Sequence, residues 1–136
     1  GFFYLFRYSA DTLYRFKGSG DSMAGTYDIE TFKGDTFTLP IVWRDEAEEL
    51  VDLTGYTARM QLRTSVDADD FSLELTTEND RITLGGVAGT IDLNVSAEDM
   101  AAVEAGTYRY DLEMVIGDSV KKLLRGKFKI IAEVTR

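Results

Sequence analysis

Gly106-Thr107-Tyr108-Arg109-Tyr110-Asp111-Leu112-Glu113-Met114-Val115-Ile116-Gly117-Asp118 is the stretch that decides the fold class. Tyr108, Tyr110, Leu112, Met114 and Ile116 alternate with Thr107, Arg109, Asp111, Glu113 and Val115. Successive side chains of a strand point to opposite faces, so this period of two predicts a strand with one apolar face. Gly117-Asp118 then offers a two-residue hairpin turn, glycine supplying the positive φ. Past the turn, Ser119 to Arg125 and Lys127 to Val134 read as strand. Phe128, Ile130 and Ala132 are expected to face inward, and Gly126 marks a bulge.

The same period recurs upstream. Ser96 reads as the cap of a short helix, with Glu98 and Asp99 in its first turn and Gly106 just beyond its end. Ile82 to Leu84 and Thr90 to Val95 read as two strands joined by the glycine-rich Gly85 to Gly89 loop, a hairpin with a bulge. Phe71, Leu73 and Leu75 mark another strand, preceded by a Thr64 to Asp70 loop. Tyr56, Ala58, Met60 and Leu62 alternate with Thr57, Arg59, Gln61 and Arg63, after a Thr54-Gly55 turn. Phe37, Leu39, Ile41 and Trp43 form a strongly apolar face. Pro40 on the other face lacks an N–H, which places that strand at an edge or a bulge. Tyr27 to Lys33 is a first run, and Gly34-Asp35 reads as a type II′ hairpin turn into the next. The total is roughly seven to nine short strands and one small helix, an all-β chain of antiparallel strands packed as two sheets. The expected core is Phe37, Leu39, Ile41, Tyr56, Met60, Leu62, Ile91, Leu93, Tyr108, Leu112 and Phe128.

The chain of 136 residues has neither cysteine nor histidine. That excludes a disulfide framework, a thiolate nucleophile, a Cys/His zinc site and a Ser-His-Asp triad. The longest apolar run, Phe2 to Phe6, is too short to span a membrane. A net charge of −9 opposes unassisted binding to a phosphate backbone or an anionic membrane, so neither nucleic acid nor membrane is an expected partner. Asp67, Asp69 and Asp70 could supply oxygens to calcium, but the spacing and glycine of an EF-hand loop are missing, and a solvated hairpin tip is the simpler reading. The Asp45 to Glu49 stretch reads as a solvated connection. No motif singles out a carboxylate pair for glycoside hydrolysis. Arg59 and Arg63, and the basic series Lys121, Lys122, Arg125, Lys127 and Lys129, are expected on salt-bridged or solvated faces. Trp43 reads as core, with a partner-facing anchor as the alternative. No enzyme activity, cofactor or metal is expected.

Residues 1–22 differ from the rest. They carry Phe2, Phe3, Tyr4, Phe6, Tyr8, Tyr14 and Phe16 among the sixteen aromatics of the chain, and a slight excess of basic residues. Gly18-Ser19-Gly20-Asp21-Ser22 has linker composition, and Met23 opens a segment that reads as a natural start. Residues 1–22 are therefore taken as an appendage (a cloning leader, an upstream extension or an assembly arm) and residues 23–136 as the domain. Phe2 to Tyr8 and Thr12 to Lys17 would pair as an aromatic hairpin around Ser9-Ala10-Asp11. A lone hairpin is marginal in water, so this one is expected to add to a sheet edge of its own domain or of a neighbouring copy. The neighbouring copy is favoured, because a natural edge is usually guarded against its own chain. The seven aromatics are the candidate interaction residues.

Two resemblances sharpen this reading. Ala105-Gly106-Thr107-Tyr108-Arg109-Tyr110 resembles the tyrosine-corner strand of immunoglobulin-like domains, with Tyr108 as the corner and Tyr110 where the second cysteine stands. The first cysteine is also absent, and Trp43 lies on an earlier strand than that family's core tryptophan. The resemblance implies an immunoglobulin-like β-sandwich. The order Tyr27-Asp28-Ile29, Gly34-Asp35-Thr36-Phe37, Ile41-Val42-Trp43-Arg44-Asp45, Asp52 to Arg63, Ile82-Thr83-Leu84, Gly89-Thr90-Ile91 and Gly106 to Leu112 is similar to small structural proteins of tailed bacteriophages and prophages. In particular it resembles the N-terminal domain of phage baseplate upper proteins, across nearly all of residues 23–136 and most characteristically at Asp52 to Arg63.

This second resemblance implies a non-catalytic virion component, made in the bacterial host cytoplasm and docked on tail or baseplate proteins. Residues 1–22 have no counterpart in that family; a homo-oligomer formed by N-terminal strand addition is the expectation from their own composition. Such domains often stand at the root of a longer fibre. A chain ending at Arg136 would also suit a neck, head-fibre or decoration component. A glycan hydrolase using a carboxylate pair is the alternative of another class, and a ligand-binding sandwich unrelated to phage a third.

Overall fold

The computed structural model describes residues 2–7, 12–17, 25–45 and 47–134. Two sheets face each other. The five-stranded sheet has the order β2-β1-β5-β9-β8, from Thr12–Lys17, Phe2–Arg7, Phe37–Arg44, Thr90–Val95 and Ile82–Leu84. The other sheet runs β3-β11-β10-β6-β7, from Gly25–Thr26, Ser119–Ile131, Gly106–Ile116, Thr57–Arg63 and Leu73–Thr76, with β4 (Ile29–Phe32) also paired to β11. Without the β1–β2 hairpin, β5-β9-β8 faces β11-β10-β6-β7. That is the strand order of an immunoglobulin-type sandwich.

The alternation read from sequence is the alternation of burial. Tyr108, Tyr110, Leu112 and Met114 of β10 point inward, as do Phe37, Leu39, Ile41 and Trp43 of β5. Every expected core residue is buried except Tyr56, which packs half-buried against the core. Phe128 stands edge-on to both Phe37 (5.1 Å between centroids) and Tyr110 (6.3 Å), joining the two sheets. Ile116 and Ala132, expected inward, are exposed near the strand ends. Trp43 is core, edge-on to Tyr56 at 6.0 Å, with the Lys121 ammonium 5.5 Å from its ring centre.

Between β9 and β10 the chain forms α1 (Ala97–Ala101), capped by the Ser96 hydroxyl accepting the Asp99 N–H (3.1 Å). The helix ends at Ala102, so Gly106 opens β10 and is no cap. Met100 and Val103 are buried at this end of the sandwich. The Lys33 ammonium donates to the carbonyls of Ala101 (2.6 Å) and Val103 (2.8 Å), satisfying oxygens the short helix leaves unpaired. The Tyr108 hydroxyl donates to the Glu104 carbonyl (2.7 Å), the bond that defines a tyrosine corner.

Three local expectations need correction. Gly34 does not close a hairpin. The turn from Phe32 to Asp35, with Gly34 at φ +86°, carries the chain from one sheet to the other, so β4 and β5 are not partners. Pairing is not wholly antiparallel: β3 and β4 run parallel to β11. No hairpin joins these first and last strands of the sandwich, so nothing forces them to oppose. Finally, the bulge lies at Leu123, not Gly126. Leu112 pairs with Leu124 but Glu113 with Lys122, leaving Leu123 as the extra residue and Leu123 and Leu124 both buried. Gly126 answers another need. A Cβ there would stand 2.3 Å from the Tyr27 carbonyl oxygen. In that gap between β3 and β4, the Asp28 carboxylate accepts the Lys127 N–H (2.9 Å) and the Tyr110 hydroxyl donates to the Tyr27 carbonyl (2.5 Å).

Candidate interaction surfaces

The first surface is the side of β5 that faces away from β9. Trp43 donates its N–H to Gly89 O (2.8 Å) on the β9 side. Backbone groups alternate along a strand, so Ile41 faces β9 too, while Arg44, Val42 and Pro40 present theirs to the opposite edge. On that edge β1 pairs antiparallel, Phe2 with Arg44 through Leu5 with Ile41. The ladder stops one residue short of Pro40, the position that has no N–H to donate. Of the expected interaction residues, Phe2, Phe3, Tyr4 and Phe6 lie on β1, and Tyr14 and Phe16 on β2, with Phe3 opposite Phe16. Tyr8 and the Gly18 to Ser22 linker lie outside the described residues. The strand that receives the hairpin here is the chain's own β5.

The second surface is the outer face of β6, β10 and β11. Opposite charges meet across one row. Glu113 accepts from Arg59 (2.6 Å) and from Lys122 (2.8 Å), and Lys122 also reaches Asp111 (2.9 Å). Burial alone would raise the Glu113 pKa, but hydrogen bonds from Lys122 and Arg59 outweigh it and hold the carboxyl below its ordinary value. An ionised Glu113 is the wrong form for a general acid. Arg59 and Lys122 are thus salt-bridged, as the sequence suggested. Gln61 donates to Glu74 (2.6 Å), and Arg63 donates to Gln61 Oε1 and Ala68 O (both 2.7 Å). An open groove of about 260 Å³ lies among Gln61, Arg63, Val66, Arg109, Asp111 and Lys122.

Beyond this balanced row, past Gln61, Asp111 and Arg125, stands a cationic one, with Arg109 directly between Arg63 and Lys127. Sequence reading noted Arg63 and Lys127 separately and missed Arg109. The three are far apart in the chain, and only strand register brings them together. Asp67, Asp69 and Asp70 are exposed on the loop before β7, and among the described residues no three metal-ligating side chains converge. No helix among the described residues is long and apolar enough to cross a membrane. No protein-family model matches the chain, and no curated protein matches it.

Proposed function

We propose that this chain is a non-catalytic structural component of a tailed-phage virion, attached to tail or baseplate proteins through the edge of β5 that faces away from β9. The observation that carries the reading is the antiparallel β1–β5 ladder, in which an extended segment from outside the sandwich completes the edge of one sheet. Strand addition needs only backbone complementarity, so the same edge can take a strand from a second copy or from a neighbouring virion protein. The immunoglobulin-type strand order and the Tyr108 corner support the resemblance to phage domains of that architecture.

Mass spectrometry of purified virions, followed by reconstruction of the particle, tests the proposal. The protein should be present, with β5 paired to an extended segment at the tail or baseplate. Its position at the neck or head surface would instead assign it to a fibre or decoration role. Its absence from virions would overturn the proposal.

A further inference from the structure

The outer face of the six-stranded sheet places five cations together, and among the described residues no acid bridges any of them. Arg109 on β10 lies directly opposite Arg63 on β6 and Lys127 on β11. Arg125 and Lys129 flank Lys127 at two-residue spacing on the same outward face, since Leu124, Phe128 and Ile130 point into the core. Directly opposed side chains in a sheet are close enough to interact, and like charges there are destabilising. Four residues further along β10, Glu113 sits bonded between Arg59 and Lys122, and in the row between them Asp111 lies opposite Arg125 and Gln61.

The nearby acids do not complete the cationic row. Asp28 accepts the Lys127 backbone N–H, Asp111 lies opposite Arg125 but is bound by Lys122, and Glu30 lies across from Lys129 on β4 without bridging it. Asp67, Asp69 and Asp70 are exposed on the loop that follows Arg63. Among the described residues, none of the five cations makes an ion pair, and the Arg63 guanidinium binds only neutral oxygens.

We infer that this row docks an extended acidic segment of a partner polypeptide. Arg125, Lys127 and Lys129 recur every second residue of a strand, a repeat of about 6.6–6.8 Å. Carboxylates at alternate positions of an extended chain have the same repeat and fall opposite them in register. Arg109 and Arg63 widen the site sideways across two more strands. A nucleic acid suits the surface less well. Its affinity comes from many phosphate contacts over a long polyanion, and a net charge of −9 repels such a molecule more than a short acidic segment. The site lies on the opposite sheet from the β5 edge and does not depend on the virion assignment.

The test uses the full chain and three labelled probes followed by fluorescence anisotropy: a short alternating glutamate–threonine peptide, its lysine–threonine counterpart, and a single-stranded oligothymidine of equal charge. The wild-type protein should bind the glutamate peptide, more weakly as salt rises, and ignore the lysine peptide. Arg109→Glu should weaken binding at least about tenfold, or 1.4 kcal/mol, without lowering the melting temperature, because its like-charge contacts with Arg63 and Lys127 both become opposite ones. Arg109→Gln with Lys127→Gln provides a second variant that adds no new charge and should weaken binding in the same direction. Equal binding by wild type and both variants, or no binding by the wild type, would overturn the inference. Oligothymidine binding as tight as that of the peptide, and lost in the same variants, would reassign the row to nucleic acid.

Discussion

Tyr108 and Gly126 hold the sandwich together by different means. The Tyr108 hydroxyl ties the start of β10 to the Glu104 carbonyl just after α1. Tyr108→Phe keeps the ring in the core and removes the hydroxyl that makes that bond. It should cost about 0.5–1.5 kcal/mol, the net worth of a typical hydrogen bond, read as a lower urea midpoint with unchanged slope. Gly126 is a matter of space. A methyl group there meets the Tyr27 carbonyl, so Gly126→Ala must push β3 and β4 away from β11. The expected cost is about 1–3 kcal/mol, as for overpacking. Gly117→Ala is the control: that site has open space around it but φ +55°, so its penalty comes from backbone strain alone. If Gly126→Ala proved the milder change, the close approach of Tyr27 would not be what requires glycine.

Among the elements, β5 shows what could be read in advance and what could not. Its alternation announced a one-faced strand and its proline an edge or a bulge, both local features; the strand instead lies between β1 and β9, with the proline just past the end of the β1 ladder. Its partners were not local. Gly34 was misread because positive φ serves a hairpin turn and a sheet-crossing turn equally well, and the chain around it does not distinguish them. Similarly, the consecutive buried leucines 123 and 124 break the period of two and mark the bulge, yet Gly126 is the more conspicuous breaker. The cationic row was illegible for the same reason: side-chain period reveals faces, whereas the Arg63–Arg109–Lys127 alignment is set by register.

Pro40 also carries a prediction at this scale. Removing residues 1–22 bares the β5 edge, while the buried residues of β4 to β11 retain a continuous core. The truncated chain should therefore remain cooperatively folded. Adding Pro40→Val to it restores a backbone donor to that edge and should increase concentration-dependent association in sedimentation velocity. Equal association with proline or valine would mean that position 40 does not guard the edge. An unfolded truncated chain would place the hairpin within the folding unit.

For the whole molecule, pH acts on the outer face through Glu113. Its folded pKa is depressed, so its stabilising contribution is complete above the unfolded value of about 4.3 and is lost as pH falls through the lower folded value. Glu113→Gln should cost about 1 kcal/mol at pH 7, as expected for a partly exposed network, and should reduce the acid-side loss of stability. Thermal melts of both proteins from pH 7 to pH 3 would check this; parallel curves would rule out a role for Glu113.

The parallel docking of β3 and β4 on β11 has a consequence for synthesis. Asp28 and Lys127, joined by a hydrogen bond, are separated by 99 positions. A nascent chain that has emerged only as far as Ile116 has the whole five-stranded sheet outside the ribosome, but no β11 to cover Phe37 or receive β4. Phe37 and the inner face of β10 then remain open to water and to chaperones until Phe128 leaves the exit tunnel. Closure by so distant a pairing places folding among the slow, non-local topologies, on the order of milliseconds to seconds.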